Sequence, residues 1–311
     1  MKAVRVRVPA TTANLGPAFD AVGMALDLYN EITVSESYQP AVEVRGEGSG
    51  SLQGGASNLV YRAAASAAEQ AGRHIPPLRI ECTNRIPLAR GMGSSAAAIV
   101  GGIVAANALL QLNLDCDAML ALAAQMEGHP DNVSPALLGG VVASVLDSGG
   151  KVRHIRLPAP EDLTAVLAIP DYHLSTSEAR AALPEMVSLR DAVFNVSRTA
   201  LLIGALHSGR HDLMAIAMDD RLHQPYRASL VPGLSNVLRS AVEAGACGAA
   251  MSGAGPSVIA FCSCSIGTDV ARVADAMARA FNEAGVSCST LLAKPTESGA
   301  LATAEHLPTL A

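Results

Sequence analysis

Residues 3–8, Ala-Val-Arg-Val-Arg-Val, alternate apolar and charged side chains. That two-residue period predicts a strand with one buried face. Residues 26–35, 41–46 and 78–83 predict further strands, and Pro9 through Pro17 reads as a loop of small, turn-forming residues. Apolar residues at helical spacing predict a helix from Asn58 to Ala71, with Ser57 as its N-cap. Two more helices are expected at 94–111 and 117–127, the second stopped by Gly128-His129-Pro130. Residues 139–146 form an apolar run, the mark of a buried strand.

After the turn Asp147-Ser148-Gly149-Gly150, the segment Pro158-Ala159-Pro160 makes a junction near mid-chain. Beyond it the pattern predicts a strand at 163–169 and helices at 191–208, 211–219 and 233–244. Strands at 247–252 and 257–263 flank a second glycine loop, and a helix at 269–284 and a strand at 286–293 follow. Strands and helices mix without regular βαβ alternation, so both halves are expected to be α+β. The expected division is residues 1–158 and 159–311.

Half of the 311 residues are apolar but only 3% are aromatic and none is Trp, so the core is built from Ala, Val, Leu and Ile. The net charge is −6 and no block of lysine or arginine stands out, which argues against nucleic acid and anionic membranes as partners. Two uncharged runs, 91–114 and 244–268, are long enough to span a bilayer. The first carries Ser94, Ser95, Asn107, Gln111 and Asn113, and the second Pro256, so both are expected to be buried elements. Six cysteines lack paired-ligand spacing, and Cys262 and Cys264 read as alternate positions of a strand. No apolar signal region follows the N-terminal residues. A reduced, cytoplasmic setting is the expectation.

The strongest chemical signal is Pro87-Leu88-Ala89-Arg90-Gly91-Met92-Gly93-Ser94-Ser95-Ala96-Ala97-Ala98. Glycines let backbone approach a ligand, and a helix N-terminus offers free N–H groups and partial positive charge. Together they form a phosphate cradle, and the serine hydroxyls suit Mg²⁺. No Gly-Lys-Ser/Thr closes the loop, so it is not a Walker P-loop. It fits the loose dinucleotide pattern Gly-x-Gly-x-x-Ala, with Asp115 or Asp117 downstream, but the preceding Thr83–Arg90 segment is interrupted by proline and arginines.

Other polar segments accompany the loop: Ala13-Asn14-Leu15-Gly16-Pro17-Ala18-Phe19-Asp20, Glu127-Gly128-His129-Pro130-Asp131-Asn132-Val133, Ser175-Thr176-Ser177-Glu178-Ala179-Arg180, His223-Gln224-Pro225-Tyr226-Arg227 and Met251-Ser252-Gly253-Ala254-Gly255-Pro256-Ser257. In this order they resemble the homoserine kinase family of the GHMP kinase superfamily, from Val6 to about Pro295. Met92 stands where leucine is usual there, and Ser257 where threonine is common.

That resemblance implies a ribosomal-protein-S5-domain-2-like N-terminal half and a ferredoxin-like C-terminal half. It also implies ATP-dependent phosphorylation of L-homoserine to O-phospho-L-homoserine, a step of threonine biosynthesis, by a homodimer. ATP would lie on Asn58 and on the loop residues Pro87, Leu88, Ala89, Arg90, Gly91, Met92, Gly93, Ser94, Ser95, Ala96 and Ala97. Mg²⁺ would be held by Ser95 and Glu127. The zwitterionic substrate would meet Asp20 at its ammonium and Arg180 and Arg227 at its carboxylate. Asn14, Asn132, Thr176, Ser252, Gly253 and Gly255 would complete its pocket. Asn132, His129 and Asp131 are the candidates for the chemical step, with Asn132 able to orient a hydroxyl but not to take its proton. The competing readings are a GHMP kinase for mevalonate, shikimate or a sugar, an NAD-dependent oxidoreductase, and a non-catalytic nucleotide-binding module.

Overall fold

Strand β1 (Lys2–Ala13) runs well beyond the alternating residues 3–8. The computed structural model describes residues 2–306; Met1 and residues 307–311 lie outside the described residues. Pro9 falls where the pairing of β1 with β2 (Val22–Glu36) shifts register, a place where a missing N–H is tolerated. The segment expected to be a loop therefore stays in the sheet until Ala13. Strand β3 (Ala41–Gly46) follows, then helix α1 (Leu59–Gln70), which is capped by Asn58 and not by Ser57 as expected. After β4 (Leu78–Asn84) comes α2 (Ser94–Leu110), a helix with no charged residue.

Helix α3 (Cys116–Glu127) ends at Gly128 in the left-handed region. Pro130 does not end helical structure there: it opens α4 (Pro130–Leu138), since proline is pre-organised for the first helical turn. Strand β5 (Val141–Leu146) pairs with β6 (Val152–Leu157), whose Arg-rich sequence carries no clear strand signal. The second half holds β7 (Leu163–Pro170), α5 (Thr176–Ala181), α6 (Leu189–Ser208), α7 (Met214–Ala217), α8 (Gln224–Arg227) and α9 (Leu234–Glu243). The helix expected at 211–219 is thus reduced to a 3-10 turn and one α-turn. Strands β8 (Gly248–Met251) and β9 (Val258–Ser263), helix α10 (Val270–Glu283), and strands β10 (Cys288–Ala293) and β11 (Leu301–His306) complete the described chain. Cys264 begins an exposed 3-10 turn after β9, so it is not an alternate strand position of Cys262.

The first sheet has seven strands in the order β11-β1-β2-β4-β3, extended by β5 on β2 and β6 on β5. Its pairs are antiparallel except β3 with β4. The second sheet is antiparallel in the order β10-β7-β9-β8, a ferredoxin-like arrangement. The period-two alternation of β7 sends Leu163, Ala165, Leu167 and Ile169 into a core shared with the first half, and Val166 and Ala168 toward α9 and α10. The expected boundary at 158/159 is crossed twice in space: by this continuous core, and by β11, which leaves the second half to pair with β1. Among the described residues, no helix is long and apolar enough to cross a membrane.

Candidate active site

Most longer helices carry a side-chain cap: Asn58 on α1, Asp115 on α3, Ser188 on α6 and Asp269 on α10. Helix α2 has none; its N-cap is Gly93 in the left-handed region at φ 70°. The N–H groups of its first turn are left for a ligand, and the helix dipole favours an anion there. Two glycines are required by close approach. A Cβ on Gly93 would sit 1.9 Å from Thr11 Oγ1, and one on Gly91 would sit 2.0 Å from the Ser252 carbonyl oxygen. The two glycine loops, 161 residues apart in sequence, thus touch: Ser252 Oγ donates to Gly91 O at 2.7 Å, and the second loop is tied to the end of β1 by Gly253 N–H donating to Ala13 O at 3.1 Å.

The mouth of α2 opens on two cavities. One, of about 300 Å³, is lined by Asn14, Asp20, Glu127, His129, Asp131, Asn132, Thr176, Arg180, Arg227, Gly253 and Gly255, together with loop residues Ala89 to Ser95. The other, of about 550 Å³ and more apolar, is lined by Asn58, Leu88, Ile32, Val44, Leu59 and His173 among others. Ala89, Ser94 and Ser95 belong to both. The fold therefore gathers nearly every residue singled out in the sequence. Pro87, Ala96, Ala97 and Ser252 line neither cavity; Ala96, Ala97 and Ser252 are buried. The Arg90 guanidinium turns away to the second half, donating to Pro170 O and Tyr172 O. Asn14, Asp20 and Ala89 all have positive φ, a backbone cost that concentrates at binding sites.

Asp20 and Arg180 form a bidentate pair, with Nη2–Oδ1 2.6 Å and Nη1–Oδ2 3.0 Å. The resemblance implies that they face opposite ends of a substrate; in the structure they hold each other. This hydrogen bond to Asp20 raises the Arg180 pKa. Arg227 is buried, and its guanidinium donates to Ala179 O, His223 Nδ1 and Gly253 O. Burial, then the neighbouring Arg180 charge, pulls its pKa down to about 10. His129 donates from Nδ1 to Asp131 Oδ1 at 2.5 Å. Burial opposes its charge, but Asp131, Glu127 and Asp20 outweigh that, so its pKa is raised. Thr11 Oγ1 donates to Asn132 Oδ1 at 2.8 Å and fixes the amide, whose Nδ2 faces Asp131 at 3.3 Å. Ser95 Oγ donates to Glu127 Oε2 at 2.8 Å, and burial pushes the Glu127 carboxyl up.

Sequence reasoning missed the supports behind these groups. Phe19 lies under both guanidinium groups, with Arg227 5.2 Å and Arg180 5.4 Å from its ring centre, and stacks on His223. His223 is fully buried; Nε2–H donates to Gly16 O at 2.6 Å, leaving Nδ1 to accept from Arg227. Buried Asp220 accepts from the N–H of Leu222, His223 and Gln224 and from Asn195 Nδ2. A histidine next to Gln-Pro and an Asp three residues earlier were the available signals, but neither distinguishes a support from a surface loop.

Two family models match the chain: GHMP kinases N terminal domain over residues 58–140 and GHMP kinases C terminal over residues 202–285. A homoserine kinase of Moorella thermoacetica is 50% identical over 296 residues, spanning 95% of this chain and 98% of that protein. One of Synechocystis sp. is 43% identical over 296 residues, 93% of this chain and 95% of that protein. Among solved structures, homoserine kinase from Cytophaga hutchinsonii superposes with a TM-score of 0.84 at 29% identity over 97% of each chain. Mevalonate kinase of L. major, solved with R-mevalonate, shares the fold at a TM-score of 0.67 and 16% identity, over 93% of this chain and 95% of that one.

Proposed function

This chain belongs to the homoserine kinases of the GHMP kinase family, and from that premise we propose that it transfers the γ-phosphoryl group of ATP to the side-chain hydroxyl of L-homoserine. One observation carries the reading: an apolar cavity and a charged cleft meet at the uncapped N-terminus of α2. The nucleoside fits the apolar cavity, the triphosphate follows Ala89 to Ser95, and the amino acid fits the charged cleft.

The Asp20–Arg180 pair suits a zwitterion. Its ammonium takes Asp20 and its carboxylate takes Arg180 and Arg227, so one ion pair is exchanged for two without net charge entering the cleft. Asn132, held by Thr11, orients the hydroxyl toward the loop. The hydroxyl oxygen forms its bond to the γ-phosphorus as the bond to the ADP oxygen breaks, and the hydroxyl proton passes late in the step to an oxygen of the transferred phosphoryl group. In a loose transition state, orientation and neutralised charge matter more than a strong base. Asp131, already bonded to His129, serves as the counter-charge of that imidazole beside the reacting groups.

Ser95 and Glu127 suit Mg²⁺: both offer oxygen, they lie together at the phosphate loop, and a cation there would offset the desolvation that pushes the half-buried Glu127 carboxyl up. When bound, the ion neutralises phosphate charge. Asp20, His129 and Asp131 also gather within 4.8 Å, but the His129 nitrogen facing the cluster is engaged by Asp131. The reaction is assigned to the cytoplasm, with a homodimer as the working unit.

The test is ADP release coupled to L-homoserine, with and without Mg²⁺. Turnover is expected only with both; turnover of mevalonate or a sugar with homoserine untouched overturns the reading.

A further inference from the structure

The family resemblance places Arg90 on the triphosphate, yet its guanidinium leaves the phosphate loop and its side chain is 14% exposed. One nitrogen, Nη1, donates to two main-chain carbonyls, Pro170 O and Tyr172 O. Ala89, the residue before it, has a φ of 51° and offers its own carbonyl to the Leu174 N–H at 3.3 Å. Residues 170–174 thus form a strap laid against the loop and anchored to it at both ends. The strap reaches both cavities. His173, between the anchors, lines the apolar cavity, and Leu174, Ser175 and Thr176 line the charged cleft. It runs directly into α5, which carries Arg180 and whose Ala179 carbonyl accepts from the Arg227 guanidinium. Two other bonds tie the strap to its own half: Asp171 N–H to Ser287 O at 2.8 Å, and the Tyr172 hydroxyl to Leu230 O at 3.0 Å. Ala89 and Arg90 tie it to the loop. The Asp171 carboxylate adds little, being 82% exposed and 3.5 Å from Arg90.

We propose that Arg90 is a positioning residue that makes ATP and homoserine assist each other's binding, by fastening the strap and α5 to the phosphate loop. The proposal rests on the function proposed above and adds a coupling between its two ligands. The physical reason is shared ordering. The loop turns through positive φ at Ala89, Gly91 and Gly93, and no side chain caps the first turn of α2. A bound triphosphate supplies the hydrogen-bond partners that fix this loop. Fixing a segment costs conformational entropy, and glycines lose the most. A nucleotide that fixes the loop also fixes, through Arg90, the strap that leads to Thr176 and Arg180. Homoserine then binds without meeting that cost again, and the reverse holds equally, because coupling between two ligands is reciprocal.

Isothermal titration calorimetry with L-homoserine, alone and in the presence of saturating Mg²⁺ and a non-hydrolysable ATP analogue, measures the coupling. Wild type is expected to bind homoserine at least about fivefold more tightly with the analogue present. Arg90→Met keeps the stem and removes the donors. It is expected to bring that ratio below about twofold, with affinity for the analogue alone changed by less than about threefold. Arg90→Lys is expected to recover most of the ratio, because both bonds come from one nitrogen and an ammonium can make both. If Arg90→Met does not fold, Arg90→Gln, neutral and shorter, takes its place with the same expectation. A wild-type ratio near one overturns the coupling. A wild-type ratio kept by the Met or Gln variant, or a Lys variant no better than either, overturns the role of Arg90. Loss of affinity for the analogue alone as large as the lost ratio makes Arg90 a triphosphate ligand and overturns the tether. Failure of the function reading is distinct: wild type that binds the analogue but not homoserine overturns the substrate, and the coupling with it.

Discussion

Arg227 is 1% exposed, yet among the described residues no carboxylate lies on its guanidinium. Its donors meet two carbonyls and an imidazole nitrogen, and its charge is held against burial. A substrate carboxylate relieves that burden. Arg227→Ala is therefore expected to raise the KM for homoserine roughly ten- to a hundredfold with the KM for ATP unchanged, the loss of a charge-assisted hydrogen bond of about 1.5–3 kcal/mol. Lysine restores only part of this, because it lacks the planar fork. Unchanged homoserine kinetics at saturating ATP would reject the carboxylate clamp. His223 behind it gives a pH signature. Burial holds its pKa below the ordinary histidine value, since the charged form would be desolvated and face Arg227. Asp220 and Asp20 pull the other way without prevailing. The unfolded chain then binds a proton that the fold does not, so its stabilising contribution is full above about pH 6.5 and is lost as pH falls through the lower folded value. The melting temperature of wild type is expected to drop below pH 6.5 more steeply than that of His223→Gln. Parallel curves would remove His223 from the account.

At the scale of one element, α2 is a buried, uncharged helix whose function is concentrated at its first turn. Its hydrophobic residues secure it between β1 and α1, and its glycine cap brings the loop against Thr11. Gly93→Ala adds a Cβ both at positive φ and into Thr11 Oγ1. It is expected to destabilise the fold by about 2–3 kcal/mol and to raise the KM for ATP more than that for homoserine. Gly128→Ala is the control, also at positive φ but with no atom near its new Cβ. It should cost about 1 kcal/mol, the conformational part alone. Equal urea midpoints for the two variants would show that contact with Thr11 is not what selects glycine at position 93.

At the scale of the whole molecule, the chain closes on itself. β11 pairs with β1 from Lys2↔His306 to Arg7↔Leu301, so the last described residues cover the edge of the first strand. An uncovered edge strand is an aggregation template, and six residue pairs of sheet are lost with it. A chain ended at Ala300 is expected to melt at a lower temperature and to aggregate on concentration, with cleft residues otherwise intact. Light scattering and calorimetry check this. An unchanged melting temperature and a clear solution at high concentration would mean that the tail adds nothing to the first sheet.

The local code is written plainly in this chain where neighbours along the sequence decide the outcome. β3, β4, α2 and α3 fall within a residue or so of the periodic segments that predict them, because side-chain spacing sets which face is buried whatever lies opposite. The glycine loop is legible for the same reason: positive φ and an open helix end are properties of a few consecutive residues. β6 and β11 are different. Each is an edge strand of ordinary composition that becomes a strand because one neighbour offers hydrogen bonds. Pro130 reads locally as a breaker and acts as a helix start, since only the surrounding fold decides which side of proline continues. The site shows the same limit. Asp20, Arg180 and Arg227 were visible as charges, but their pairing spans 160 residues, and Phe19, His223 and Asp220 gain their roles only when two loops from opposite halves meet. Sequence determined the elements and the chemical inventory because those depend on short-range spacing. Tertiary structure decided which charge faces which, because that depends on distances the chain sets only once it has folded.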